Sequence, residues 1–164
     1  MSIPRALAES VFQIAYVVPD LHSAVRFFKE ELGVPCFLIK EDIRGEDQTY
    51  LGRPGDFRHS IAFGYAGQMQ IELIQSLSGA STYADFLAQH PRGGVHHLGL
   101  LVDDYDAGVG EMNGRGFKLV QSGRNGETRF AYFDVGHPIG TLLEIVRLAP
   151  AIKAAFERLK RGEA

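Results

Sequence analysis

The chain has 164 residues, 45% hydrophobic and 23% charged, with a net charge of -3. This suits one globular domain, residues 1–164, with a buried core, and excludes extended disorder. No lysine–arginine cluster marks a nucleic-acid or membrane surface, the opening MSIPRALAESVF lacks the apolar core of a signal peptide, and no run approaches the length of a membrane span. A cytoplasmic location is the simplest expectation. The lone Cys36, in VPCFLI, reads as a buried structural thiol without a disulfide partner.

Residues 12–28, FQIAYVVPDLHSAVRFF, open with an apolar run of strand length stopped by Pro19-Asp20. Asp20 stands where a helix N-cap belongs. Leu21, Ala24, Val25, Phe28 and Leu32 follow at helical spacing, and Gly33 is a suitable left-handed stop. Strand-like segments come next at 36–39, 60–65 and 69–75, with Gly67 in the last turn and a long loop at 41–57. Residues 77–94 form a linker. It holds a short helix over 82–90, with Tyr83, Phe86 and Leu87 on one face and Pro91 at its end.

The pattern then recurs. Residues 96–112, HHLGLLVDDYDAGVGEM, superimpose on the first segment at an offset of 84, so that Gln13 falls on His97 and Asp20 on Asp104. Tyr105, Val109 and Met112 repeat the helical stripe, and Gly116 stops it. Strand-like segments follow at 118–121, 129–134 and 142–147, with Gly123, Gly126, Gly136 and Gly140 marking turns. QIELIQS (70–76) matches LLEIVRL (142–148) at an offset of 72. The second copy is shorter by about a dozen residues, a difference assigned to the 41–57 loop. The fold class is therefore α+β, a βαβββ module present twice at 12–76 and 95–148. A C-terminal amphipathic helix over 151–161 presents Ile152, Phe156 and Leu159, to pack on the domain or on a second subunit.

Repeat equivalence picks out four side chains. Gln13 and His97 open the first strands, and Glu72 and Glu144 sit inside the last ones, each between apolar residues. A single strand glutamate is more often solvent-facing, with Ile71 and Leu73 turned inward instead. A single histidine is more often a packed one, and His96 should point to the opposite face from His97. At equivalent positions of two symmetric modules, however, all four converge on one axis. Two facing carboxylates then call for a divalent cation.

FQIAYVVPDLHSAVRFF, QIELIQ, GVHHLGLLVDDYDA and AYFDVGHPIGTLLEIV together resemble the vicinal oxygen chelate (VOC) superfamily. That superfamily includes glyoxalase I, methylmalonyl-CoA epimerase, extradiol dioxygenases and bleomycin-resistance proteins. The resemblance covers residues 11–148. It implies a U-shaped, incompletely closed barrel around a metal held by Gln13, Glu72, His97 and Glu144. GVHHLGLLVDD is most similar to the epimerase branch, which typically has His at the position of Gln13 and Gln at that of Glu72. The Gln/Glu/His/Glu set is instead similar to glyoxalase I. A missing histidine counts against oxygen activation, and an intact ligand set counts against a simple drug-binding module.

The implied chemistry is proton abstraction next to a carbonyl by an isomerase, epimerase or lyase, with Glu72 or Glu144 as base. Two glutamates, His97 and neutral Gln13 balance a divalent ion: Zn, Ni, Co, Mn or Fe. Arg129 and Arg53, with Arg58 and Arg124, are candidates for substrate anions. His137 in Gly-His-Pro reads as a loop residue, and no dinucleotide glycine pattern is present. The alternative is a small-molecule binding or sequestering protein without catalysis. Open sheet edges and the C-terminal stripe point to a homodimer.

Overall fold

The strands and helices of the two repeats fall where apolar period and punctuation place them, whereas the helix Pro4–Ser10 and the strands Glu46–Tyr50 and Arg53–Pro54 are not expected, in a computed structural model that describes residues 4–164, with side chains from residue 7. After α1 (Pro4–Ser10), the first βαβββ run comprises β1 (Val11–Val17), α2 (Leu21–Glu30), β2 (Leu38–Arg44), β5 (Arg58–Ala66) and β6 (Met69–Ser78), interrupted by β3 (Glu46–Tyr50) and β4 (Arg53–Pro54). α3 (Thr82–Gln89) leads to the second run: β7 (Gly94–Leu101), α4 (Tyr105–Gly114), β8 (Lys118–Asn125), β9 (Thr128–Asp134) and β10 (Leu142–Arg147). α5 (Pro150–Lys160) follows. Asp20 and Asp104 cap α2 and α4 by accepting from Ser23 N and Ala107 N. Gly33 and Gly116, at φ of 71° and 79°, turn the chain out of those helices.

The ten strands among the described residues form one curled, open sheet in the order β2-β5-β6-β1-β7-β10-β9-β8-β3-β4. Two quartets, β2-β5-β6-β1 and β8-β9-β10-β7, are mirror images in this order and meet where β1 pairs antiparallel with β7. Gln13 pairs with Gly99 and Ala15 with His97, while Ala15 also pairs with Glu72 and Gly99 with Glu144. Every one of these pairs maps onto another by the sequence offsets of 84 and 72, so the junction is a local pseudo-twofold axis.

Both faces of the sheet are covered. α2 packs outside the first quartet on Ile71 and Leu73, and α4 outside the second on Phe133 and Ile145. The inner face encloses Val17, Ile74, Tyr132 and Val146. Phe156 and Leu159 of α5 bury themselves in that inner cluster, so the C-terminal stripe is covered by its own chain. Cys36 is half-buried against the same cluster. No helix among the described residues is long and apolar enough to cross a membrane.

Four expectations need correction. Leu32 lies past the end of α2 and is 59% exposed. Gly123 is inside β8 rather than in a turn; a Cβ there would stand 2.9 Å from the Phe130 ring, so packing demands the glycine. The segment 41–57 is not a loop. β2 continues to Arg44 and only Gly45 separates it from β3, which pairs with β8 at the other end of the sheet. Buried Gln48 ties this crossing down, accepting from Phe57 N and donating to Phe57 O, both at 2.9 Å. Finally, His96 does not take the opposite face from His97, because β7 bulges there.

Candidate metal centre

Each of the two inner strands carries a bulge one residue before its ligand-type side chain. The β1–β7 register slips at Phe12, just before Gln13, and at His96, just before His97. A bulge bends the strand and re-aims its side chains. It brings Phe12 into the cavity wall beside Gln13. It also sets His96 Nδ1 2.9 Å from His97 Nδ1.

Gln13, Glu72, His97 and Glu144 meet on the inner face, each at most 5% exposed. His97 Nε2 lies 3.1 Å from Glu72 Oε2, 3.3 Å from Glu144 Oε2 and 3.3 Å from Gln13 Oε1. One ring nitrogen cannot donate to three oxygens. Only the Gln13 oxygen is aligned for it, and the two carboxylate oxygens keep no hydrogen-bond partner. Unsatisfied buried carboxylates are costly. Ligand atoms of Glu72, His97 and Glu144 all lie within 4.8 Å of one another, the spread that one shared cation requires. The donor set is oxygen and imidazole without sulfur, and suits a divalent ion.

The electrostatics agree. Burial disfavours the imidazolium of His97, but the carboxylates of Glu144 and Glu72 outweigh it and hold the ring up at about 9. Burial pushes the Glu72 carboxyl up, the Glu144 charge adds to this, and His97 opposes it. Without a metal, the pocket draws in a proton to do part of what a cation would do.

Supporting contacts orient the ligands. Gln13 Nε2 donates to Gln70 Oε1 at 2.7 Å, and Gln70 Nε2 donates to Tyr65 Oη at 3.1 Å, which turns Gln13 Oε1 toward His97. Gly99 leaves room for this pose, since a Cβ there would come within 2.6 Å of Gln13 Oε1. His97 is fixed by His96 and by Tyr132, whose ring centroid lies 4.6 Å away. Burial holds His96 well below the ordinary histidine range, so neutral His96 can accept at Nδ1 from His97 Nδ1–H, an arrangement in which His97 Nε2, once it gives up its proton, would be the ring's free donor atom for a cation. Tyr132 and Tyr83 are joined Oη to Oη at 2.7 Å, and burial pushes both phenols well up.

The arginines are elsewhere. Arg129 stacks on Tyr105 at 3.8 Å and pairs with Asp106 at 3.1 Å. Arg58 pairs with Asp42, Arg124 with Asp47 and Glu46, and Arg53 is exposed on β4. None of the four lines the cavity that opens on the carboxylates. His137 is exposed in the turn before β10. Sequence reasoning passed over Gln70, His96 as a partner of His97, Tyr132 and His59. Gln70 was within reach, being two residues before Glu72 on one strand and hence on the same face.

A sequence model of the Glyoxalase/Bleomycin resistance protein/Dioxygenase superfamily matches residues 12–133. Human mitochondrial methylmalonyl-CoA epimerase is 29% identical over 99 residues, 60% of this chain and 49% of that protein. The ethylmalonyl-CoA/methylmalonyl-CoA epimerase of Cereibacter sphaeroides is 26% identical over 110 residues, 67% of this chain and 73% of its own. The chain spans about half the length of the mitochondrial relatives it matches. Among solved structures, methylmalonyl-CoA epimerase of Mycobacterium tuberculosis superimposes with a TM-score of 0.60 at 24% identity, covering 88% of this chain and 91% of that one. A hypothetical protein of Bacillus halodurans C-125 gives 0.64 at 21%, covering 85% and 94%. These likenesses establish a common fold.

Proposed function

Because the chain belongs to the glyoxalase/bleomycin resistance/dioxygenase superfamily, we propose that it is a divalent-metal-dependent epimerase or isomerase that moves a proton on the carbon next to a carbonyl. The single observation carrying this is the buried convergence of Glu72, His97 and Glu144, with two carboxylate oxygens left unsatisfied. Gln13 would be the fourth ligand. When bound, the ion would supply a Lewis acid for the carbonyl oxygen and so stabilise negative charge at that oxygen.

The remaining work falls to the chain. Of Glu72 and Glu144, both in the cavity wall, one takes the proton from the substrate carbon; in an isomerisation the same carboxyl returns it, and in an epimerisation the other delivers a proton to the opposite face. Gln13, held by Gln70, offers a neutral oxygen and leaves the net charge of the loaded site at zero. The buried walls exclude water, which strengthens these interactions and limits loss of the abstracted proton. Similarity to the methylmalonyl-CoA and ethylmalonyl-CoA epimerases supports a small carbonyl substrate, such as the acyl head of a thioester.

The test is metal analysis of protein purified without chelator, followed by deuterium incorporation from solvent into methylmalonyl-CoA and into a hemithioacetal. Expected is about one ion per chain and metal-dependent exchange at the carbon next to the carbonyl in one of the two. A metal-loaded protein that exchanges neither compound but binds them would favour the sequestering role instead.

A further inference from the structure

Building on that reading of the site, we propose that the substrate has an uncharged, apolar body beyond its metal-chelating oxygens, and that His59 holds one hydrogen-bonding group on that body. A cavity of about 270 Å³ opens on Gln13, Glu72 and Glu144. Its remaining wall is mostly apolar: Phe12, Ile61, Phe63, Phe130, Val146 and Phe156. α5 closes one side, with Phe156 against Phe63 at a ring distance of 4.8 Å. The volume is nearly twice the ~150 Å³ that accommodates benzene in an apolar protein cavity. A ring-sized body plus a chelating head therefore fits.

Charge on that body would be poorly received. Among the described residues Lys40 is the single lysine or arginine in the wall, and it is exposed. The buried charges present are the carboxylates of Glu72 and Glu144, and an anion beside them would be desolvated without a counter-ion.

His59, on β5, is the exception in this wall. It is 4% exposed, packs between Phe57 and Tyr83, and its Nδ1 has no hydrogen-bond partner. An imidazole buried this way forfeits a hydrogen bond that folding does not replace. Burial holds the ring neutral, down at about 4. It can therefore accept or donate one hydrogen bond without bringing a charge into the chamber. Ring centroids run from His59 to Tyr83 at 5.3 Å, to Tyr132 at 5.8 Å and to His97 at 4.6 Å. His59 thus stands three ring contacts from the metal ligands, where it would meet the far end of a substrate rather than its reacting carbon.

The experiment is calorimetric titration of the metal-loaded protein with hydroxamates that share one chelating head. Acetohydroxamate is the head alone, benzohydroxamate adds an apolar ring, and the 3- and 4-hydroxy and 3- and 4-carboxy derivatives add a polar or charged group. Benzohydroxamate should bind about ten-fold more tightly than acetohydroxamate. One hydroxy isomer should gain about five-fold more, and both carboxylates should lose affinity. In His59→Phe the hydroxyl gain should vanish while acetohydroxamate binding stays unchanged; His59→Gln should keep part of the gain. If the phenylalanine variant does not fold, His59→Leu and His59→Gln carry the same comparison. A hydroxyl gain that survives loss of His59, or a carboxylate that binds as tightly as benzohydroxamate, overturns the proposal. Failure of acetohydroxamate to bind at all sinks the metal-centred reading, and this proposal with it.

Discussion

The two strand quartets are symmetric in backbone and unequal in chemistry. Each supplies one residue from its first strand and a glutamate from its last, and each bulges one residue before the former. Around these positions the halves diverge. Glu72 has Phe63 opposite it on β5, whereas Glu144 has Tyr132 opposite it on β9. The first half gives a neutral amide steadied by Gln70 and Tyr65, and the second an imidazole steadied by His96 and Tyr132. Duplication thus placed the four side chains, while the residues around them determine what each half does.

The comparison breaks most visibly at the glutamates. Glu144→Ala should abolish stoichiometric metal and, with it, solvent exchange into substrate, because half the charge balancing the ion is gone; Glu72→Ala should match it. Full metal content in Glu144→Ala, read by elemental analysis, would refute the site. Gln13→Ala should cost less, since water can replace a neutral donor.

Next comes the support of Gln13. Gln70→Leu leaves its amide without an acceptor and free to turn, and should lower metal affinity about 10–100-fold with little change in fold. Unaltered affinity in a chelator-competition titration would show that Gln13 is held by something else. Gly99→Ala crowds Gln13 and should weaken metal by less than Gln70→Leu while costing about 1–3 kcal/mol in urea unfolding.

The imidazole half gives a pH signature. The folded value of His97 is raised above the ordinary 6.5 to about 9 in the metal-free protein. Its protonation therefore stabilises the chelated protein fully below pH 6.5, and that contribution is lost as pH rises through about 9. The ion needs the same lone pair, so metal affinity should fall as pH drops below about 9, approaching ten-fold per unit. His59 acts in the opposite sense. Its value is depressed to about 4, so the stability it contributes is present above pH 6.5 and lost as pH falls toward 4. His59→Phe should flatten the acid limb of the stability profile of the metal-free protein, and an unchanged limb would show that His59 titrates alike in the folded and unfolded chains.

By itself the sequence determined the duplicated βαβββ pattern, the Asp20 and Asp104 caps, the glycine stops and the four repeat-equivalent positions, because each of these is written in local period or in self-similarity. Tertiary structure alone decided which way Glu72 faces. Helices cover the outside of the sheet and a cavity lies within, so Ile71 and Leu73 are buried on one face and Glu72 on the other, and alternation cannot distinguish them. It decided the side taken by His96, because a bulge arises from pairing between strands 80 residues apart and not from either strand alone. It turned 41–57 into strands near the two ends of the sheet, because backbone pairing asks nothing apolar of the residues that make it. And it brought α5 and His59 to one chamber, because a cavity is made by contacts distant in the chain, which no local pattern records.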